Sequence, residues 1–365
     1  MRAEVMLNDK YTASAGRIFL SGTQALVRLP LEQSRSDAGM GINSAGYISG
    51  YRGSPLGTYD SELWRARSFL TEHGIVFQPG VNEDLAATAI WGTQQLGLFS
   101  RPRHDGVFSL WYGKGPGVDR CGDVFKHANA AGTSRTGGVL VLAGDDHAAK
   151  SSTLAHQSEH ILKACCIPVL NPANVQEYID YGLHGFALSR FAGVWVGLKC
   201  VKDNIESTAT VDGRIDRVVI RTPSEEDYPL PPGGLNIRLG DQPLDKEARL
   251  HDYKRGAVLA FARANTIDHI VMAGGALLAI RGTISFGTLF AFVAGLPIVL
   301  GFSQAALVAY VAFVSVHAVY IHSNTRWRFP GIRWLIATPE FHHWHHTSDD
   351  EGLDRNFAGF LPLWD

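Results

Sequence analysis

DGVFSLWYGKG (105–115) opens on an apolar and aromatic run and closes on glycine and lysine, the profile of a strand that empties into a loop. The same pattern recurs in GYISGYRGSP (46–55), IVFQPGVN (75–82), GGVLVLAGDD (137–146), CIPVLNP (166–172) and AGVWVGLKC (192–200). Between these runs, YDSELWRARSFLTEHG (59–74), EDLAATAIWGTQQLGLF (83–99) and VQEYIDYGLHGFALSRF (175–191) carry apolar residues at helical spacing, with acids early in their first turns. Strand and helix in regular alternation predict an α/β fold with a doubly wound, mostly parallel sheet from about residue 16 to 200. In such sheets ligands bind outside the carboxyl ends of the strands, which is where the glycine-rich and polar segments fall.

Composition bounds the alternatives. The 33 Lys+Arg and 35 Asp+Glu leave a net charge of −2, without the basic field that nucleic acid requires, so no nucleic-acid partner is expected. All four cysteines, Cys121, Cys165, Cys166 and Cys200, lie in the first two hundred residues, and no CxxC pair occurs. Neither a disulfide framework nor an iron–sulfur cluster in this chain is expected. MRAEVMLNDK (1–10) carries charges where a secretory signal needs an apolar core, which places the N-terminal domain in the cytoplasm.

The charge is distributed unevenly. Residues 282–325 contain no Asp, Glu, Lys or Arg over 44 positions, enough for two helices of about 20 residues each across a bilayer, with a break near Pro297 and Gly301. From Arg221 to about Asp252 the text turns rich in Pro, Gly and charge, and KRGAVLAFARANTIDHI (254–270) has amphipathic helical spacing. The expected organisation is an α/β domain over 1–220, a linker and amphipathic helix over 221–270, two hydrophobic, membrane-spanning helices over 271–325, and a His-rich helical tail over 326–365. Membrane association through the lipid bilayer follows. Arg326, Arg328 and Arg333 just beyond the apolar run favour a cytoplasmic side for that tail.

Three loops of the front half carry chemistry. FQPGVNEDLAATAIWGTQQ (77–95) puts Glu83 and Asp84 at a helix start, where a carboxylate ordinarily serves the helix N-terminus. WYGKGPGVDRCGD (111–123) holds four glycines with Lys114 and Arg120, and LAGDDHAAKSSTLAHQSEH (142–160) holds Asp145, Asp146, His147 and Lys150. Three polar loops after three strands mark a candidate site.

With GRIFLSGTQALVRLPL (16–31) and SGYRGSPLGTYDSELWRAR (49–67), these motifs closely resemble the N-terminal region of bacterial indolepyruvate ferredoxin oxidoreductases, from about Tyr11 to His269. The resemblance implies a pyrimidine-binding domain for thiamine diphosphate. It gives Glu83 the role of the acid that hydrogen-bonds the aminopyrimidine ring, since only a group able to share a proton with a ring nitrogen drives the tautomer shift. Gly113, Gly115, Asp145 and Asp146 are the further cofactor-binding candidates, and Arg52 and Ser54 fall near the 2-oxo acid substrate, Arg52 as a carboxylate clamp. No GDG motif of the family's diphosphate domain is present. The resemblance therefore implies a diphosphate-binding domain and a ferredoxin acting in trans, within a homo- or hetero-oligomer.

FHHWHH (341–346) follows the hydrophobic region. On a helix, residues three and four apart share a face, so His342 converges with His345 and His346, and neutral imidazoles suit iron or zinc. VHAVYIHSNTRWRF (316–329), IRWLIATPEFHHWHH (332–346) and DRNFAGFLPLWD (354–365) resemble the C-terminal end of the fatty acid hydroxylase/sterol desaturase superfamily over about 292–365. That resemblance implies a di-iron site on a membrane enzyme, with His322, His342, His343, His345 and His346 as metal ligands. His156 and His160 also have HxxxH spacing but lie in the oxidoreductase-like region, and are read as coincidental.

Three functional readings follow: a fragment of a thiamine diphosphate-dependent 2-oxo acid oxidoreductase producing acyl-CoA, fused to a partial hydroxylase tail; a membrane-bound di-iron hydroxylase-like protein; and an inactive chimera or artefact of the gene model.

Overall fold

In the computed structural model of the chain, the described residues are 6–150, 154–274 and 277–281, with a few single positions between 303 and 320. The chain divides into two units, Met1–Thr283 and Ile284–Asp365, and the fold that follows is that of the first. Its elements run α1 (Asp9–Thr12), β1 (Arg17–Ser21), α2 (Gly22–Gly39), β2 (Ser44–Gly50), α3 (Tyr59–Arg65), α4 (Arg67–Glu72), β3 (Ile75–Phe77), α5 (Glu83–Thr93), β4 (Gly106–Lys114), α6 (Gly115–Arg120), α7 (Gly122–Ala131) and β5 (Val139–Asp145). They continue with α8 (Glu159–Ala164), β6 (Val169–Leu170), α9 (Val175–Ala192), β7 (Val196–Val201), α10 (Lys202–Ile205), β8 (Thr208–Asp212), α11 (Pro243–Ala248), α12 (Arg255–Ala264), β9 (His269–Gly274) and β10 (Leu277–Arg281).

Six strands form one parallel sheet in the order β3-β2-β4-β5-β7-β6, as the alternating text predicts. Side chains alternate across the pleat, so one strand feeds two cores. Phe108, Leu110 and Tyr112 of β4 join Leu26 and Leu29 of α2, Leu63 of α3 and Phe186 of α9 on one face. Trp111 points the other way, to Ala87 and Ile90 of α5, Val118 of α6, Phe125 of α7 and Leu162 of α8. The chain leaves β2 for the first face and β4 for the second. These two strands are neighbours, and the crevice between their carboxyl ends is the switch point of the sheet.

Local chemistry starts the helices. Asn82 caps α5 by accepting the Leu85 N–H at 2.9 Å, Asn174 caps α9 by accepting the Glu177 N–H at 3.1 Å, and Ser21 with Gln24 forms a reciprocal capping box on α2. Arg190 of α9 grips Asp37 of α2 through both guanidinium nitrogens, at 2.6 and 2.8 Å, and locks the two helices that cover the first face.

Three features of the fold were not legible as elements in the sequence. Helix α2 reads as a motif rather than as amphipathic spacing, because it is buried on most sides. Strands β1 and β8 pair antiparallel across nearly two hundred residues as a separate two-stranded sheet. Residues 271–274 and 277–281, expected to begin the first hydrophobic helix, instead belong to an antiparallel pair, β9 with β10, as the β-branched Ile270, Val271 and Ile280 favour extended backbone. No described helix is long and apolar enough to cross a membrane, and residues 282–302 and 321–365, which carry most of the apolar run and the tail, lie outside the described residues.

Between 243 and 264 the chain is helical throughout, with a π segment at Arg249–Lys254 joining α11 to α12. Phe261 of α12 enters the core of the first face. Lys254 is fully buried and donates to the carbonyls of Asn129 (3.1 Å), Ala130 (3.3 Å) and Gly193 (2.8 Å). Those carbonyls belong to the last turn of α7 and to the left-handed C-cap of α9, so one ammonium serves two negative helix ends. Burial, with Arg249 and Arg238 nearby, holds its amine down to about 7. Replacing Lys254→Met leaves three buried acceptors unpaired and should cost about 2–3 kcal/mol in urea unfolding. The folded chain sheds a proton that the unfolded chain keeps, so the deficit of the variant should widen as pH rises from about 7 toward 10.5.

Candidate functional site

The carboxyl ends of β2, β3, β4 and β5 carry every candidate residue of the front half. Glu83 is the first residue of α5, set by the Asn82 cap, and its carbonyl oxygen accepts the Trp111 indole N–H at 3.1 Å. This bond ties the start of α5 to β4. The Glu83 side chain is only 7% exposed and lies against Gly117 of α6: a Cβ at Gly117 would stand 2.7 Å from Glu83 Cγ and 2.9 Å from Oε1. No hydrogen bond or ion pair to the Glu83 carboxylate is found among the described residues. The carboxylate is thus sheltered but left open to accept a hydrogen bond from a ligand N–H.

Its neighbour Asp84 is engaged differently, paired with Arg120 Nε at 2.7 Å. Cys121 is buried beside both acids; burial, then the Asp84 charge and hydrogen bond, then Glu83, push its thiol up, which makes it an inert packing thiol.

Two glycines assigned to the cofactor make room for protein side chains. A Cβ at Gly113 would meet the Trp111 ring at 2.5 Å, and one at Gly115 would meet His156 Nδ1 at 2.0 Å. His156 in turn joins Asp119 Oδ2 at 2.8 Å through Nε2, with Asp145 Oδ1 3.6 Å from its Nδ1. Thus His156, read as coincidental in its HxxxH spacing, hydrogen-bonds Asp119 and leaves its buried Nδ1 without a hydrogen-bond partner, while His160 sits on α8. Asp145 is fully buried and accepts both the Ser158 N–H (2.9 Å) and the Ser158 hydroxyl (2.6 Å), with Lys199 Nζ 3.8 Å away. Lys199 also holds Glu159 at 2.7 Å; burial raises that carboxyl, but the Lys199 hydrogen bond, a backbone hydrogen bond and the Lys199 and His147 charges together outweigh it and leave it below the usual range. Asp146, 3% exposed, accepts the Lys150 N–H at 3.1 Å.

Arg52 is exposed just beyond β2, and Ser54 precedes Pro55 across a cis peptide bond. Pro55 sits over Gly144 of β5. Arg52 acts on Asp60, whose carboxyl is pushed up by burial and pulled back by the Tyr112 hydroxyl and the Arg52 charge. A cavity of about 270 Å³ lined by Arg67, Leu70, Thr71 and 74–77 lies along β3 and includes none of these residues. Gly117, Trp111 and His156 escaped sequence reading because their role is contact across the crevice, although GPG directly after a strand was its visible trace. Among the described residues no group of His, Cys, Asp and Glu is arranged to hold a metal ion, and His322, His342, His343, His345 and His346 lie outside them.

Known proteins similar to the front half of this chain are 2-oxo acid oxidoreductases. The chain is 30% identical over 185 residues to the indolepyruvate oxidoreductase subunit IorA of Methanothermobacter marburgensis, covering 50% of this chain and 26% of that protein. It is 29% identical over 195 residues to IorA of Methanothermobacter thermautotrophicus, covering 53% and 28%. The chain therefore spans about a quarter of the length of these relatives. Among solved structures, a 2-oxoglutarate:ferredoxin oxidoreductase from Magnetococcus marinus shares the fold at a TM-score of 0.50 and 15% identity, over 72% of this chain and 48% of that one. The fatty acid hydroxylase family model matches residues 250–365, beginning upstream of the 292 expected from the tail motifs and including α12. The chain thus joins an oxidoreductase-like front to a hydroxylase-like back.

Gly117→Ala should cost about 1–3 kcal/mol by forcing the Glu83 side chain aside. In a double-mutant cycle with Glu83→Ala the two losses should be clearly less than additive, read from urea midpoints.

Proposed function

We propose that residues 1–220 form the pyrimidine-side half of a thiamine diphosphate site in a 2-oxo acid oxidoreductase of the indolepyruvate type, producing acyl-CoA, completed by a diphosphate-binding domain and a ferredoxin in trans. The observation that supports this reading most is the sheltered, donor-free carboxylate of Glu83 at the switch-point crevice. A carboxyl in that setting is placed to hydrogen-bond a ring nitrogen of a ligand. Bound thiamine diphosphate would supply the nucleophilic carbon and the electron sink for decarboxylation. Glu83 would hold the proton at its carboxyl oxygen, and Trp111, through the Glu83 carbonyl, would keep the acid in place. Gly113 and Gly115 would act through the space they leave for Trp111 and His156, and Asp145 and Asp146 by holding Ser158 and Lys150 in the segment that follows β5. Arg52 and Ser54 would face the 2-oxo acid.

The family match over 250–365 favours a second reading for the back half: a membrane-associated, His-rich iron site built from His322, His342, His343, His345 and His346, with the uncharged run 282–325 in the bilayer. Residues 221–270 would join the two parts.

Titration of thiamine diphosphate and magnesium into the full chain in detergent, with a diphosphate-domain partner present, should show saturable binding that Glu83→Gln weakens at least about tenfold. Equal binding by the variant would remove Glu83 from this role. Stoichiometric iron or zinc in the purified chain, lost in His342→Ala/His345→Ala, supports the tail reading, and its absence in the parent overturns it.

A further inference from the structure

Lys114, the last residue of β4, lies with its stem across Gly53 in the loop that follows β2. A Cβ at Gly53 would stand 2.8 Å from Lys114 Cδ, 3.0 Å from Cγ and 3.3 Å from Cβ. The contact runs along the stem from its root at Cβ to Cδ, so only glycine at 53 admits the stem there. The register that pairs Gly50 with Tyr112 sets the two strand ends side by side, and Arg52 and Lys114 leave them at the same crevice.

Both cations are exposed, and neither forms an ion pair with a carboxylate among the described residues. The other cations at this edge are matched: Arg120 by Asp84, Lys199 by Glu159 and Lys150 by Asp203. Asp60, held against Tyr112, feels Arg52 only at longer range. Two unpaired positive charges from adjacent strand ends repel each other unless an anion sits between them. A guanidinium fork beside an ammonium suits a carboxylate, the fork taking both oxygens and the ammonium acting as a point charge.

We propose that Lys114 is a specificity-determining residue that grips, together with Arg52, the carboxylate of a 2-oxo acid, so that the crevice selects the anionic acid over its neutral analogues. This rests on the reading of the crevice as an oxidoreductase site. Gly53 is part of the device, because it fixes the direction of the Lys114 stem.

The test is equilibrium binding of phenylpyruvate and of its methyl ester to the full chain in detergent, without cofactor, followed by titration calorimetry. The acid should bind at least about tenfold more tightly than the ester. Lys114→Met should close most of that gap, Lys114→Arg should keep most of it, and Gly53→Ala should narrow it although both charges remain. Lys163→Met, which removes an exposed lysine on α8, should leave the gap unchanged and controls for bulk charge. A gap that survives Lys114→Met, equal binding of acid and ester, or no saturable binding of the acid would each overturn the proposal. Thiamine diphosphate binding should be unaffected by Lys114→Met, whereas Glu83→Gln should leave the acid–ester gap intact, so either assignment can fail without the other.

Discussion

The indole N–H of Trp111 donates to the carbonyl of Glu83 at 3.1 Å, and much of the front domain depends on that bond. Trp111 is fully buried in a central strand, so it is fixed by the core on the second face, while its polar edge reaches the first turn of α5. Through it the sheet dictates where Glu83 begins its helix, and Gly117 leaves the room in which the acid rests. The same ring fills the space left by Gly113. One aromatic side chain thus joins packing energy to the placement of the candidate acid.

Around this contact the crevice divides into a sheltered side and a charged side. On the sheltered side, Asp145 accepts from Ser158 through both oxygens and His156 Nε2 joins Asp119. These contacts stiffen the loops on that side. On the charged side, Arg52 and Lys114 have no described partner in an ion pair. The division separates a buried polar network from two exposed cations, and it follows from which strand each loop leaves.

The chain also shows that a segment's composition and its packing can diverge. Residues 221–270, rich in Pro, Gly and charge, contain a helix that plants Phe261 in a core and buries Lys254 against two helix ends. The hydroxylase family match begins inside this segment, at 250. Similarity along the chain and the boundary between compact units, at 283/284, therefore do not coincide.

Strand runs, capping residues and acid-led helices were legible in the sequence because each depends on neighbours a few positions away: Asn82 before Glu83, Asn174 before Val175, and alternating apolar residues in 106–114. Those local patterns determined the parallel α/β class and put Glu83, Arg52 and Asp145 at strand ends. The order of the strands, the pairing of β1 with β8 and of β9 with β10, and the meeting of Glu83 with Gly117, His156 with Gly115 and Lys114 with Gly53 were decided only by the tertiary structure. Each of these arises when segments distant in the chain compete for the same space, a constraint that spacing along a sequence does not carry.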